Sequence, residues 1–363
     1  MTRLRLAVIG VGHLGKEHAR ILANLPDVEL VGVVDRRALQ AVHVAERCRS
    51  HAHVDHTGIL AQVDAAVIAV PTQQHHAVAV DFLRQGIPLL IEKPLAMDVA
   101  QASELADLAE QKGVPLQVGH IERYNPAFEE LQRCPLRPRF ISAERLGGYT
   151  GRSSDVGVVL DLMIHDLDLV RALVGAPLRC VEALGVSVLG GHEDVAQARL
   201  TFANGCVAQL AASRVHPAPL RRMQVWGAEG FVGIDFAKRH LSLMQPADHL
   251  RRGPFDARRL DAAELATFRN DLFGKHIEVQ ELDCAGGDQL TLELQDFLRC
   301  VRTGARPRVD GAAGRDAVAL AWAVLDSLRA HAWEGDASGP VGPAQLPAPQ
   351  GSLFVPAAPG AAA

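Results

Sequence analysis

Short apolar runs and helical stretches alternate through the first third of the chain. Leu4 to Ile9, Val28 to Val34, Ala65 to Val70, Pro88 to Ile91 and Val114 to Gly119 are runs of strand length. Runs bounded by turn residues read as buried strands. Between them lie helical segments: Lys16 to Leu25, the stretch after Pro71-Thr72 up to Gly86, and one opened by Asp98, where Gln101 completes a capping box and Gly113 ends the helix. Strictly alternating strands and helices predict a doubly wound parallel sheet over residues 1–122, with its ligand at the strands' C-terminal ends. The pattern then changes. Arg139 to Arg145 reads as a strand, and Val159, Leu162, Met163, Leu169, Val170 and Leu173 recur at helical spacing before Gly175. From Leu178 the period becomes two. Ala198, Leu200 and Phe202 alternate with polar neighbours ahead of Asn204-Gly205, a strong hairpin-turn signal. A second hairpin turns at Gly227 to Gly230, and Leu241 to Met244 and Ile277 to Leu282 add strands. Two amphipathic helices, Asp288 to Val301 and Ala312 to Ala330, close an α+β unit over 123–333 whose sheet is mostly antiparallel. Residues 334–363 are rich in Pro, Ala and Gly and read as a flexible tail.

Composition narrows the function without naming it. A chain of 363 residues with 48% hydrophobic content suits two domains. The net charge of −5, with both signs interspersed, argues against a nucleic-acid partner. No apolar run approaches a membrane span. The N-terminus enters a strand and a glycine-rich turn at once, so a cytoplasmic location is expected. The six cysteines are scattered without a C-x-x-C, as in a reducing compartment.

The first strand runs into Gly10-Val-Gly12-His13-Leu14-Gly15, a G-x-G-x-x-G between strand and helix. Such glycines allow a tight turn, close approach to a pyrophosphate and close helix–strand packing, the Rossmann fingerprint. The second strand ends at Asp35, where an acid accepts hydrogen bonds from ribose hydroxyls. Arg36 beside it suits a 2′-phosphate, but the carboxylate would repel one, so NAD is favoured over NADP. Pro71, Thr72 and His75 follow the next strand, and Glu92-Lys93-Pro94 ends the one after, so these residues face the cofactor cleft. His51, His53 and His56 resemble a metal cluster but lack a ligand group from a second element, so no metal is expected. On the mid-chain helix Asp161, His165 and Asp168 share one face. A histidine one turn from a carboxylate is either an oriented general base or an ion pair without chemistry.

Gly10-Val-Gly12-His-Leu-Gly15, Pro71-Thr72-x-x-His75, Glu92-Lys93-Pro94 and Asp161-x-x-x-His165 resemble, in order and spacing, the Gfo/Idh/MocA family of nicotinamide-dependent oxidoreductases, over roughly residues 3 to 330. More narrowly, the segments Gly119 to Pro126 and Asp155 to Asp166 are similar to those of UDP-N-acetylglucosamine 3-dehydrogenases of lipid A biosynthesis. The resemblance implies NAD held by Gly10, Gly12, His13, Leu14, Gly15, Asp35, Arg36, Pro71, Thr72, His75, Glu92 and Lys93. It also implies oxidation of a sugar 3-hydroxyl by Lys93, Asp161 and His165. In that reading either Lys93 or His165 is the base, Asp161 orients His165 or binds a hydroxyl, and an aminotransferase consumes the ketone. A nucleotide-sugar diphosphate suggests guanidinium contacts from Arg123, Arg145 or Arg152, near Tyr124 and Asn125; the competing expectation is that the arginines pair with nearby acids. A homodimer or homotetramer is expected. A free-sugar or inositol dehydrogenase, and a non-catalytic nucleotide-sensing protein of the same fold, are the alternatives.

Overall fold

Six parallel strands form the first sheet: β1 (Leu4–Ile9), β2 (Val28–Val34), β3 (His51–His53), β4 (Ala65–Ile68), β5 (Leu89–Glu92) and β6 (Leu116–Gly119). The structure is a computed structural model that describes residues 2–151, 155–189, 191–253, 255–333 and 339–345. The strand order is β3-β2-β1-β4-β5-β6, so the chain reverses direction between β1 and β4 and opens a crevice there. The central strands are buried on both faces, which explains their unbroken apolar runs. Helices α1 (Gly15–Asn24), α2 (Ala38–Cys48), α3 (Thr72–Arg84) and α4 (Val99–Lys112) connect them. Asp98 caps α4 as expected by accepting from the Gln101 amide, but the Gln101 side chain does not return the bond that would complete a capping box, and Gly113 closes the helix in the left-handed region. His51 to His53 is a strand at the sheet edge.

Helix α5 (Pro126–Arg133) leads into the second unit. Its sheet has nine strands: β7 (Phe140–Leu146), β8 (Leu178–Ser187), β9 (Val195–Phe202), β10 (Val207–Ser213), β11 (Leu220–Gly227), β12 (Gly230–Asp235), β13 (His240–Pro246), β14 (Ile277–Asp283) and β15 (Ala344–Gln345). Only the β7–β10 and β8–β15 pairs are parallel. Both expected hairpins form, at Asn204-Gly205 and between β11 and β12. The helix that follows Asp155 starts as a π-helical turn, Val159–Met163, and continues as α6 (Ile164–Val174). Short helices α7 (Asp248–Arg251) and α8 (Ala262–Asn270) fill the β13–β14 connection and bury no residue. The low apolar content there left no periodicity to read. Within the expected flexible tail, β15 pairs with β8, and Ala332 bridges Val341.

Two long helices join the halves. In α9 (Gln289–Thr303), Leu290, Leu294, Phe297 and Leu298 pack in one cluster with β1, β2 and α1 of the first sheet. In α10 (Gly311–Ala330), Gly311 and Gly314 lie so close to Leu116 and Val118 that a methyl group would sit within 2.8 Å of either side chain. The C-terminal helices are thus structural members of the nucleotide-binding half. Phe297→Ala removes a fully buried ring from that junction. It should lower unfolding free energy by about 3–5 kcal/mol, measured by urea denaturation.

Candidate active site

The crevice between β1 and β4 opens into a cavity of about 810 Å3 that continues across to the π-helical turn and β11. Gly10, Gly12, His13 and Leu14 line it at one end, with Asp35 and Arg36, then Pro71, Thr72 and His75. Lys93, Asp161, His165 and Arg221 line the other end.

The glycine turn is built for a close-approaching ligand. Gly10 has φ +86°, and a Cβ there would meet the backbone of Ala69 and Val70 at 2.7 Å. A Cβ on Gly15 would fall 1.8 Å from the Gly10 carbonyl oxygen, so this glycine lets α1 start against the turn. Gly12 differs: a Cβ there meets nothing within 4 Å, and its side faces the cavity. That space beside the start of α1 fits a pyrophosphate. At the end of β2, Asp35 Oδ2 accepts from the Val11 amide (3.2 Å) and Oδ1 from the Arg37 amide (2.9 Å). The carboxylate is thereby fixed at the cavity wall, where it suits ribose hydroxyls and opposes a phosphate.

Lys93 precedes a cis peptide bond to Pro94. His75 holds this turn: its Nδ1 lies 2.9 Å from the Pro94 carbonyl oxygen and its Nε2 2.9 Å from that of Val70. Glu92 carries the turn from below, its Oε1 2.7 Å from His18 Nε2 in the interior. Glu293 of α9 lies near both, and burial, with Glu92 beside it, pushes its carboxyl well above the usual range. Glu92, beside His18, is held below the usual range, so the two neighbouring acids are shifted in opposite directions. His18, Glu193, Arg221 and Glu293 belong to no motif in the sequence, and His120 lies in the Gly119 to Pro126 segment without a role of its own there. Glu293 has the one readable signal: it sits on the apolar stripe of Leu290, Leu294 and Phe297.

Across the cavity, Lys93 Nζ donates to the Asp161 carbonyl (2.6 Å) and to Asp161 Oδ1 (3.1 Å). The sequence reading pairs Asp161 with His165; the structure gives it to Lys93, because a full positive charge reaches both acceptors. Glu193, from the β8–β9 connection, anchors the start of the turn: its backbone and side-chain oxygens accept from the amides of Val158 and Val159. His165 Nδ1 is sealed from solvent without a protein partner, which leaves Nε2 as the ring nitrogen facing the cavity. Burial, then the charges of Lys93 and Arg145, hold the ring's pKa well below the usual histidine value, so it is neutral near pH 7.

Four expected substrate residues belong elsewhere. Arg145 is buried, forked onto Asp166 (3.0 and 2.8 Å) and bonded to Glu122 (2.7 Å). Arg123 lies 3.1 Å from Asp168, also buried. The Tyr124 hydroxyl donates to Asp296 (2.9 Å), and Asn125 caps α5 and donates to Glu122. These side chains tie the domain junction together and are corrected from substrate contacts to structural ones. The acids that pair with Arg145, Glu122 and Asp166, belong to the same two segments, whereas Asp296, the partner of Tyr124, comes from α9 far along the chain. Arg152 lies outside the described residues. At the Lys93 end of the cavity the guanidinium on the wall is Arg221, brought there by β11 pairing with β7 opposite Arg145, and it forms no ion pair with a described residue.

The family description "Oxidoreductase family, NAD-binding Rossmann fold" matches residues 4–120, and "GFO/IDH/MocA C-terminal domain" matches residues 137–232. The chain is 37% identical over 333 residues to a UDP-N-acetylglucosamine 3-dehydrogenase of Acidithiobacillus ferrooxidans, covering 91% of this chain and 99% of that protein. The protein belongs to the Gfo/Idh/MocA family. A solved structure of that Acidithiobacillus enzyme superposes with TM-score 0.78 at 36% identity, over 90% of this chain and 98% of the other. A scyllo-inositol 2-dehydrogenase (NAD(+)) of Bacillus subtilis is 26% identical over 85% of this chain and 89% of its own length. Levoglucosan dehydrogenase in complex with NADH shares the Gfo/Idh/MocA fold, with TM-score 0.76 at 18% identity over 90% and 97% of the two chains. The chain is thus an NAD-dependent oxidoreductase by family, and the glycine turn with Asp35 fits that cofactor.

Two outcomes follow from this geometry. Gly12→Ala should leave the melting temperature of the apo protein unchanged, because its methyl enters open space, yet weaken NADH at least about 10-fold by fluorescence titration. His75, His120 and His165 all have pKa values lowered by burial, so the unfolded chain binds protons that the folded one refuses. Stability should therefore fall as pH drops below about 6.5, by up to roughly 1.4 kcal/mol per pH unit for each ring, seen in urea midpoints from pH 7.5 to 5.

Proposed function

We propose that this protein oxidises the 3-hydroxyl of the sugar in UDP-N-acetylglucosamine to a ketone, using NAD. One observation carries the reading: Lys93, His165 and Arg221, which has no ion-pair partner among the described residues, converge on the cavity into which the glycine turn opens. Near full-length similarity to a UDP-N-acetylglucosamine 3-dehydrogenase supports it.

NAD supplies the hydride acceptor. His165, neutral because it is buried, presents Nε2 to the cavity and takes the hydroxyl proton. Lys93 is arranged as a donor, with Nζ already turned to two oxygens of Asp161, and it stabilises negative charge that develops on the reacting oxygen. This division of labour makes His165 the base. Asp161 keeps the ammonium in place and cancels part of its charge while the site is empty of substrate. Arg221 binds the diphosphate of the nucleotide, the role that Arg123 and Arg145 cannot fill from the interior.

The 3-keto product calls for a reaction that removes it, and an aminotransferase feeding lipid A biosynthesis fits its chemistry. The open face of the nine-stranded sheet, with Ser142, Glu144, Gln197, Arg199 and Gln209 around a shallow 400 Å3 depression, is the surface proposed for the homodimer or homotetramer.

Absorbance at 340 nm tests the substrate, with NAD and UDP-N-acetylglucosamine, its uronic-acid analogue or myo-inositol offered separately, and an aminotransferase with glutamate as a trap. NADH should form with the first. Formation with myo-inositol alone overturns the nucleotide-sugar reading, and silence with every sugar despite tight NADH binding favours a non-catalytic protein. In the same assay Arg221→Ala should raise KM for UDP-N-acetylglucosamine about 10- to 100-fold, with NADH affinity unchanged.

A further inference from the structure

Behind His165 lies a sealed group of polar atoms that the chemistry above does not use. His120 follows β6 and is buried, and neither ring nitrogen has a protein hydrogen-bond partner. Its ring stands edge-on to that of His165, with centroids 6.2 Å apart and an interplanar angle of 86°. Asp168, one turn beyond His165 on α6, is 1% exposed, and neither carboxylate oxygen has an aligned donor. Arg123 Nε approaches Asp168 Oδ2 to 3.1 Å without hydrogen-bond alignment, an ion pair by distance alone. With His165 Nδ1, six sealed polar atoms on four neighbouring side chains lie in this part of the interior. Buried polar atoms of native proteins are bonded, and a site with several such atoms is where an ordered water is held.

Resting on the reading of His165 as the base, we propose that His120 and Asp168 are positioning residues that fix the His165 tautomer. Nδ1–H of His165 donates through one bridging water to His120, and the other nitrogen of His120 donates through a second water to Asp168. The proton on Nδ1 leaves Nε2 with a free lone pair directed at the substrate. When Nε2 takes the hydroxyl proton, the imidazolium charge is shared along the chain toward the Asp168 carboxylate, which Arg123 holds in place. The proton leaves from Nε2 to solvent after the ketone departs, so atoms and charge balance over the cycle. The other charged groups facing His120 are Lys93 and Glu92 on β5. A neutral imidazole with the wrong nitrogen protonated is inactive as a base whatever its pKa, which is why a mere packing role would leave a different signature.

Three measurements decide it. His120→Leu should lower kcat roughly 100-fold or more with KM and NADH affinity within about 3-fold, while His120→Gln, whose amide oxygen accepts the same bond, should stay within about 10-fold of the parent. A packing role predicts that Leu, apolar and of similar size, is tolerated at least as well as Gln, and that order of activities overturns the proposal. Nitrogen-15 NMR of histidine in the NADH complex without sugar reads the tautomer directly. His165 should carry its proton on Nδ1 in the parent and lose that preference in His120→Leu and in Asp168→Asn. Finding the proton on Nε2 in the parent overturns the proposal even if no variant folds. Because this readout needs no substrate, it is independent of which sugar is oxidised: failure of UDP-N-acetylglucosamine turnover would sink the substrate reading alone.

Discussion

The contact on which the site depends is Lys93 Nζ against two oxygens of Asp161. It joins the end of β5, in the nucleotide-binding half, to the first turn of the helix that carries His165. Both side chains are mostly buried, at 14% and 19% exposure, so the pair is desolvated enough to matter and still reachable from the cavity. Removing one partner of a buried pair leaves a charge without compensation, commonly at a cost of about 3–5 kcal/mol. The arrangement therefore registers the two halves of the protein against each other at the place where chemistry occurs. His75 on one side and Glu193 on the other fasten the two ends of that contact to their own domains.

Local signals made most of the fold legible. Each strand of the first sheet sits between turn residues, and the capping of α4 by Asp98 follows from three residues of sequence. The hairpin at Asn204-Gly205 needed only its turn and the alternation around it. Helices α7 and α8 escaped, since with nothing buried they impose no apolar period. The site divides the same way. Gly10 to Gly15, Asp35, Lys93 and His165 stand at the ends of regular elements, where a motif states both chemistry and position. Arg145 and Arg221 could not be told apart in this way. They are adjacent across β7 and β11, yet one faces Asp166 inside the protein and the other faces the cavity. Directly opposed residues share one face of the sheet, so what separates them is that Glu122 and Asp166 are packed over Arg145 alone, a long-range placement that neither strand encodes.

The interior polar groups share a common logic. Glu122 and Asp166 surround Arg145, Asp168 meets Arg123, and Glu92 meets His18. Each pair includes a group from the Glu92 to Asp168 region, where the domains meet. Isosteric apolar residues would pack there as well or better. Of these pairs only Arg145 with Glu122 crosses between the halves; the others fix side chains within one half beside the junction.

One peripheral feature has a bearing on how the molecule behaves in a crowded solution. The nine-stranded sheet ends at β15 on one side and at β14 on the other. An open strand edge is a template for another chain, and the two ends meet that hazard differently. At β8 a piece of the proline-rich tail, two residues long, covers part of the ladder. At β14 the exposed seven-residue strand carries Glu278, Glu281 and Asp283, and any copy arriving in register would meet its own carboxylates. Like charges brought opposite one another across a ladder repel. The same sheet thus covers part of one border with backbone, at Ala344 and Gln345, and lines the other with charge.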